Sequence, residues 1–249
     1  MMRLIALLLS LAVCLAGCGQ TQAVREEKAV NAILKLGGEV IRDEKLPGRP
    51  VTVTGLGGTK VTDSDLKDLK ELKALKELSL GATQITDAGL KDLKELMGLQ
   101  RLDLCETQIT DAGLKNLKEL EGLKDLNLSG TEITDASLKD LKELKGLQHL
   151  YLAGNHITDA ALKDLKELKG LQSLDLTGTK IADAGLKDLK ELKDLRWLYL
   201  GCTQITDAGL KDLKELKGLQ SLWLNGTRIT DAGLKDLKGA LPNTQVFGP

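Results

Sequence analysis

The sequence predicts an α/β chain wound as a right-handed solenoid, with a parallel sheet on its concave face and helices on its convex face. Three observations predict it. First, a 24-residue text, L-x-x-L-x-L-x-x-T-x-I-T-D-A-G-L-K-D-L-K-E-L-K-G, recurs seven times between Leu75 and Pro242. Second, its first half sets leucines at alternate positions, the period of a strand with one buried face. Its second half sets them at i and i+3, the spacing of a narrow helical stripe. Third, the chain is 29% charged and 2% aromatic, so its core has to be assembled from aliphatic side chains supplied in small equal portions by each repeat. One strand and one short helix cannot bury their own leucines, whereas stacked copies can, each touching only its neighbours.

Taken in order, residues 1–17 read as a signal peptide. Arg3 gives a basic start, and Leu4 to Leu15 form an apolar run short for a bilayer span. The run ends in Leu15-Ala16-Gly17-Cys18, which looks like a bacterial lipobox and implies lipid attachment at Cys18. Several acyl chains there would anchor the protein stably, since one chain alone binds only marginally. The resemblance implies an exported protein of the bacterial envelope, and Gly19 after the cysteine favours the outer membrane. Residues 18–22 are a polar tether. Residues 23–74 form an N-terminal cap, beginning with an amphipathic helix over Ala23 to Leu36 with Val30, Ile33 and Leu34 inward. Gly37-Gly38 stops that helix, and Val40-Ile41 and Val51 to Val53 follow as short strands. The phrase Thr59-Lys60-Val61-Thr62-Asp63 then marks a degenerate first repeat.

Residues 75–242 hold the seven full repeats. In each, the T-D-A-G phrase opens a helix, with Asp87, Asp111, Asp135, Asp159, Asp183, Asp207 and Asp231 at its start. Either Asp or the preceding Thr could accept from the free N–H groups of the first turn. Repeat five carries Ala182 in place of Thr, which favours Asp as the cap. Lys91 and Glu95 stand four apart as an outer-face pair. Residues 243–249 form a C-terminal cap: Pro242 breaks the last helix, Gln245 to Phe247 add an edge strand, and Phe247 plugs the last core layer.

With these motifs in place, the repeat resembles the leucine-rich repeat family, and most closely the I-T-D-x-G-L subtype of F-box-associated and bacterial repeat proteins. The match covers about two-thirds of the chain. The family carries Asn or Cys where this chain has Thr83, Thr107, Thr131, Thr179, Thr203 and Thr227, and only Asn155 keeps the amide. The resemblance implies a horseshoe that binds a protein or peptide, and, through its F-box relatives, a ubiquitin-ligase-type substrate adaptor as an alternative. No F-box-like helical segment is legible ahead of the repeats.

In a strand reading x-L-x-L-x the leucines face inward and the residues between them face the concave surface. Stacking makes columns of these residues. The first column reads Glu77, Arg101, Asp125, His149, Ser173, Trp197, Ser221, and the second reads Ser79, Asp103, Asn127, Tyr151, Asp175, Tyr199, Trp223. Every Trp and Tyr of the protein lies in these two columns. Large side chains with a polar handle on a rigid surface mark binding hot spots. The candidate partner-binding set is Arg101, Asp103, Asn127, His149, Tyr151, Asp175, Trp197, Tyr199, Trp223 and Asn225.

Other functions are less well supported. Asp125, His149 and Ser173 are successive members of one column and suggest a hydrolase relay. An open sheet offers neither an oxyanion pocket nor exclusion of water, so the expectation is no enzyme. A formal charge of −1 gives no nucleic-acid footprint. No cofactor loop occurs, and the soft ligands His149, His156, Cys105 and Cys202 are too scattered to share a metal ion. Cys105 and Cys202 lie four repeats apart, about 19 Å at strand spacing, beyond the reach of a disulfide. A structural, self-associating envelope protein is the remaining alternative.

Overall fold

The computed structural model describes residues 22–248. A helix over 22–35 (α1) packs Ala29, Val30 and Ile33 onto the core. Leu34, expected inward, is 51% exposed on its outer face. The three buried positions follow i, i+1 and i+4, and this stripe leaves residue 34 pointing away from the sheet. Gln22, expected in the tether, already belongs to the helix, and its amide donates to the Glu71 carbonyl at 2.8 Å. Arg42 ties the helix to the first hairpin, donating to Glu26 at 3.1 Å and Glu27 at 2.7 Å.

Ten strands then form one sheet in strict sequence order: β1 (Glu39–Arg42), β2 (Val51–Gly55), β3 (Glu77–Ser79), β4 (Arg101–Asp103), β5 (Asp125–Asn127), β6 (His149–Tyr151), β7 (Ser173–Asp175), β8 (Trp197–Tyr199), β9 (Ser221–Trp223) and β10 (Gln245–Phe247). β1 pairs antiparallel with β2, and all later pairs are parallel. The register advances by 24 residues per strand, so Leu78, Leu102, Leu126, Leu150, Leu174, Leu198 and Leu222 align in one buried row. A 3-10 helix (Asp63–Glu71) and the helices α2 (Asp87–Leu93), α3 (Asp111–Leu114), α4 (Asp135–Leu141), α5 (Asp159–Leu165), α6 (Leu186–Leu189), α7 (Leu210–Leu213) and α8 (Asp231–Ala240) cover the other side.

The hydrogen bonds reverse the expected roles of Thr and Asp. Thr86, Thr110, Thr134, Thr158 and Thr206 cap their helices, each hydroxyl accepting from the amide two residues on. The aspartate instead reaches into the next repeat. Asp87 accepts from the Thr110 amide at 2.8 Å and the Thr110 hydroxyl at 2.6 Å, and Asp63, Asp111, Asp135, Asp183 and Asp207 do the same one repeat on. A carboxylate standing one residue inside the helix points along the solenoid axis, where the next chain segment presents two donors. The same reach explains the glycine of the motif: a Cβ on Gly113 would collide with the Asp87 carboxylate. Ser137 and Ala161 hold that place in two repeats with the aspartate bonds intact, so glycine is favoured there without being required. In repeat five the Ala182 amide still donates to Asp159 at 2.8 Å, but no hydroxyl is present and α6 starts only at Leu186.

Thr and Asn also act differently at the turn that follows each strand. Thr83 closes its own turn on the Leu80 carbonyl at 2.6 Å, whereas Asn155 bridges repeats, donating to Leu128 at 2.8 Å and Leu152 at 3.1 Å. On the outer face Glu95 pairs with Lys73 of the preceding repeat at 3.5 Å rather than with Lys91, because the helix ends at Leu93 and the i, i+4 geometry ends with it. The residue after the turn's first position needs a left-handed backbone. Gly130, Gly154, Gly178 and Gly226 supply it, while Ala82, Glu106 and Cys202 are forced to φ of 53–54°. Glu106→Gly is therefore expected to raise stability by about 0.5–1 kcal/mol and Gly130→Ala to lower it by a similar amount or more, read as opposite shifts of the urea midpoint.

At the C-terminal end, Val246 packs against the core and Phe247 does not. Phe247, expected as a core plug, is 40% exposed on the open face of the sheet, paired in register with Trp223. Strand alternation requires this outcome, since inward Leu222 pairs with Val246.

Candidate functional site

The face of the sheet turned away from the helices carries both columns, and β1 and β2 extend them. The first runs Ile41, Val53, Glu77, Arg101, Asp125, His149, Ser173, Trp197, Ser221, Gln245. The second runs Glu39, Gly55, Ser79, Asp103, Asn127, Tyr151, Asp175, Tyr199, Trp223, Phe247. The members of the second column do unlike work. Asp103, Asn127 and Asp175 each accept from the backbone amide two residues on, at 3.1, 3.0 and 2.8 Å, closing the turn after the strand as Asx residues do. Tyr151, Tyr199 and Trp223 occupy the same place with no acceptor close enough to the main chain to take that bond. Their repeats forgo a local bond and expose aromatic surface instead.

The aromatic side chains form two stacks. Tyr199 and Trp223 lie 4.0 Å apart between ring centroids, and Trp223 and Phe247 5.0 Å, both at 11° between planes. Trp223 is thereby covered on both faces and presents its ring edge. Trp197 stacks instead with His149, at 6.4 Å and 25°. These two residues belong to one column and flank Ser173, which is left 3% exposed. Tyr151 stands apart, two strands from Tyr199 across Asp175. Sequence reasoning placed the Trp and Tyr residues on this face and missed Phe247. The signal was present: 247 lies one 24-residue period beyond 223.

Of the remaining candidates, Arg101, Asp103 and Asn127 lie toward β1. Arg101 donates to Glu77 at 2.6 Å, and that bond raises the guanidinium pKa. Burial pushes the Asp125 carboxyl up, opposed by the charges of His149 and Arg101. Asp103 also accepts from the Ser79 hydroxyl at 3.2 Å. Burial, followed by a hydrogen bond to Asp103, pushes the Cys105 thiol up to about 11, so it stays protonated and unreactive at neutral pH. Cys105 and Cys202 are both free. Asn225 donates to the Gly248 carbonyl at 2.6 Å and helps hold the last strand. Tyr151 and Tyr199 are both raised, first by burial and then by Asp125 and Asp175 respectively. The rims flanking the columns are mixed in sign, with Lys76, Lys124 and Arg196 on one side and Glu106 and Glu132 on the other.

Asp125, His149 and Ser173 do stand side by side in register. Among the described residues no hydrogen bond joins them, and Ser173 lies under the His149–Trp197 pair, so its hydroxyl has no open line of attack. No group of three His, Cys, Asp or Glu residues converges as a metal site among the described residues. Cys18 lies outside them.

Stacked strand–helix units with leucine inside and varied residues on the open sheet define a leucine-rich repeat solenoid. Sequence-family models agree: a leucine-rich repeat model matches residues 97–157, and a two-copy leucine-rich repeat model matches 145–193. Comparison with curated proteins finds no match. Among solved structures the fold is similar to the plant peptide hormone receptor RGFR1 in complex with RGF2, with a TM-score of 0.51, 18% identity, and coverage of 73% of this chain and 29% of that one. It is also similar to the PEPR1-AtPEP1 complex, with a TM-score of 0.52, 19% identity, and coverage of 76% and 26%. The chain thus spans under a third of either structure's length, and the likeness is one of fold.

Proposed function

We propose that this protein is a lipid-anchored scaffold of the bacterial envelope that binds a protein or peptide on the concave face of its repeats. The observation that carries the reading is the second column. Tyr151, Tyr199 and Trp223 replace residues that would close a turn, so fold stability does not account for them. Phe247 and Trp197 extend the same surface. The preformed sheet favours recognition because little ordering is left to accompany binding. One of the two similar structures is, by its name, a peptide hormone receptor in complex with RGF2, which accords with this use of the fold. The anchor rests on the Leu15-Ala16-Gly17-Cys18 sequence behind its apolar run; among the described residues no helix is long and apolar enough to cross a membrane. On this reading the protein is not an enzyme, and the covered Ser173 supports that.

Self-association is the one rival with an observation behind it. Among the described residues β10 pairs only with β9, and the exposed Phe247 on it is the last member of the aromatic stack. A photoreactive residue at Thr177, in the turn that Asp175 closes after β7, tests both readings in intact cells. The wild-type chain is expected to crosslink a foreign protein or peptide. A Trp197→Ala/Trp223→Ala variant with unchanged secondary structure should lose at least tenfold of that product, as hot-spot truncation does. Capture of a second copy alone would favour self-association, and equal crosslinking by both chains would reject the aromatic face as the site. Cys18→Ser should move the protein from the membrane to the soluble fraction, and unchanged partition would reject the anchor.

A further inference from the structure

The concave face is polarised along the solenoid. All acids and bases in its two columns other than the tyrosines lie on β1 to β7: Glu39, Glu77, Asp103, Asp125 and Asp175 against two bases, His149 and Arg101, of which Glu77 already engages Arg101. β8 to β10 carry none, and hold Trp197, Tyr199, Trp223 and Phe247 instead. The acidic end is also hollow. Gly55 and Ser79 leave the surface low, and a space of about 280 Å³ opens between them and Asp103, Asp125 and Tyr151, with Arg101 and the apolar Val53 also in its lining. That is at the lower end of small-molecule sites and suits one long side chain. The Asp125 carboxylate in its lining is half-buried with His149 in register beside it, and no hydrogen bond to it occurs among the described residues. A half-buried carboxylate beside a tyrosine ring is complementary to a cation.

These features discriminate between classes of ligand. An acidic face repels the phosphates of nucleic acid. Trp223 has neither ring face open to a sugar or base and offers its ring edge instead. Ring edges in a row accept a bulky aliphatic or aromatic side chain. We infer that the occupant is an extended peptide running across the strands, with a lysine or arginine side chain in the hollow over Asp103 and Asp125. A bulky apolar side chain seats on Trp197, Tyr199 and Trp223. The two anchor points are three to four strands apart, about 14–19 Å, so the two peptide residues are separated by about four to six positions at the rise of an extended chain. This inference rests on the scaffold reading above and specifies its ligand.

The test uses the full chain in detergent and a display library of random linear twelve-residue peptides. Enriched peptides are expected to pair a Lys or Arg with a Trp, Phe or Leu at that separation, and to bind several-fold more weakly at high salt. Asp125→Asn and Trp223→Ala should each weaken a selected peptide about tenfold. Asp125→Lys should restore binding to the same peptide with its base changed to Glu, a rescue that a misfolded variant could not give. Enriched peptides that lack the basic residue, or keep their affinity for Asp125→Asn, would overturn this inference and leave the scaffold reading standing. Enrichment no greater than on a Trp197→Ala/Trp223→Ala chain, or recovery only of self-assembled copies, would overturn both.

Discussion

Leu150→Ala should lower the unfolding free energy by about 3–5 kcal/mol, the range for removing a fully buried leucine from a core that cannot collapse around the gap. Leu150 is 0% exposed at the centre of the inward row, between Leu126 and Leu174. It touches the layers on both sides, and in a linear array those are the only layers that hold its repeat in place. The neighbouring Tyr151→Ala is the control. It shares the strand but faces outward, and its loss should change stability by less than about 1 kcal/mol. Urea unfolding of both variants checks the pair. A change below about 1 kcal/mol for Leu150→Ala would mean that the repeats do not share one core.

Asp135→Ala should destabilise by about 2 kcal/mol, a figure lowered for the partial exposure of the site. The substitution removes two bonds, from the Thr158 amide at 2.7 Å and the Thr158 hydroxyl at 2.5 Å, and leaves that amide without its acceptor. Thr158 keeps its own role as a cap, with Ala160 donating to it at 3.3 Å, so the loss isolates the link between repeats. Asp231→Ala is the internal comparison. Among the described residues no threonine donates to Asp231, so the loss there is its favourable charge at the start of α8, worth a few tenths of a kcal/mol. If both substitutions cost the same, the aspartate acts on its own helix and the inter-repeat account fails. Ala182→Thr runs the experiment in the opposite direction, adding the hydroxyl that Asp159 lacks, with an expected gain of about 1 kcal/mol.

The same links carry a pH dependence at the C-terminal end. Hydrogen bonds from Thr230 hold the Asp207 carboxyl below its ordinary value of 3.8. A carboxyl depressed on folding contributes stability above its unfolded pKa, and that contribution is lost as pH falls through the lower, folded value. Protection of the Thr230 amide, taken relative to its intrinsic exchange rate at each pH, should therefore fall on acidification below about pH 4, and a protection factor unchanged over that range would contradict the link.

Much of the architecture was legible because packing is repetitive. A leucine at every 24th position can be buried only by another leucine one strand away, so strand register, the inward rows and the two outward columns could be written from the text. The separation of Cys105 from Cys202 followed from the same count. The columns also located the aromatic residues, though not their partners. Trp197 could have packed on Trp223 as readily as on His149, and the choice depends on rotamers that carry no sequence period. Phe247 was misplaced because it was read as the end of a chain and not as the next member of a column.

The sequence by itself determined the period, the inside and outside of every strand, and the face on which the variable residues gather, since each of these follows from alternation and spacing. Only the tertiary structure decided that Asp links repeats while Thr caps helices, that Leu34 turns outward, that Trp223 is enclosed by Tyr199 and Phe247, and that a hollow opens over Asp125. The physical reason is common to all four. Each depends on contacts between residues a full repeat or more apart, or on which face of the cap helix meets the core, and those distances are set only when the layers stack.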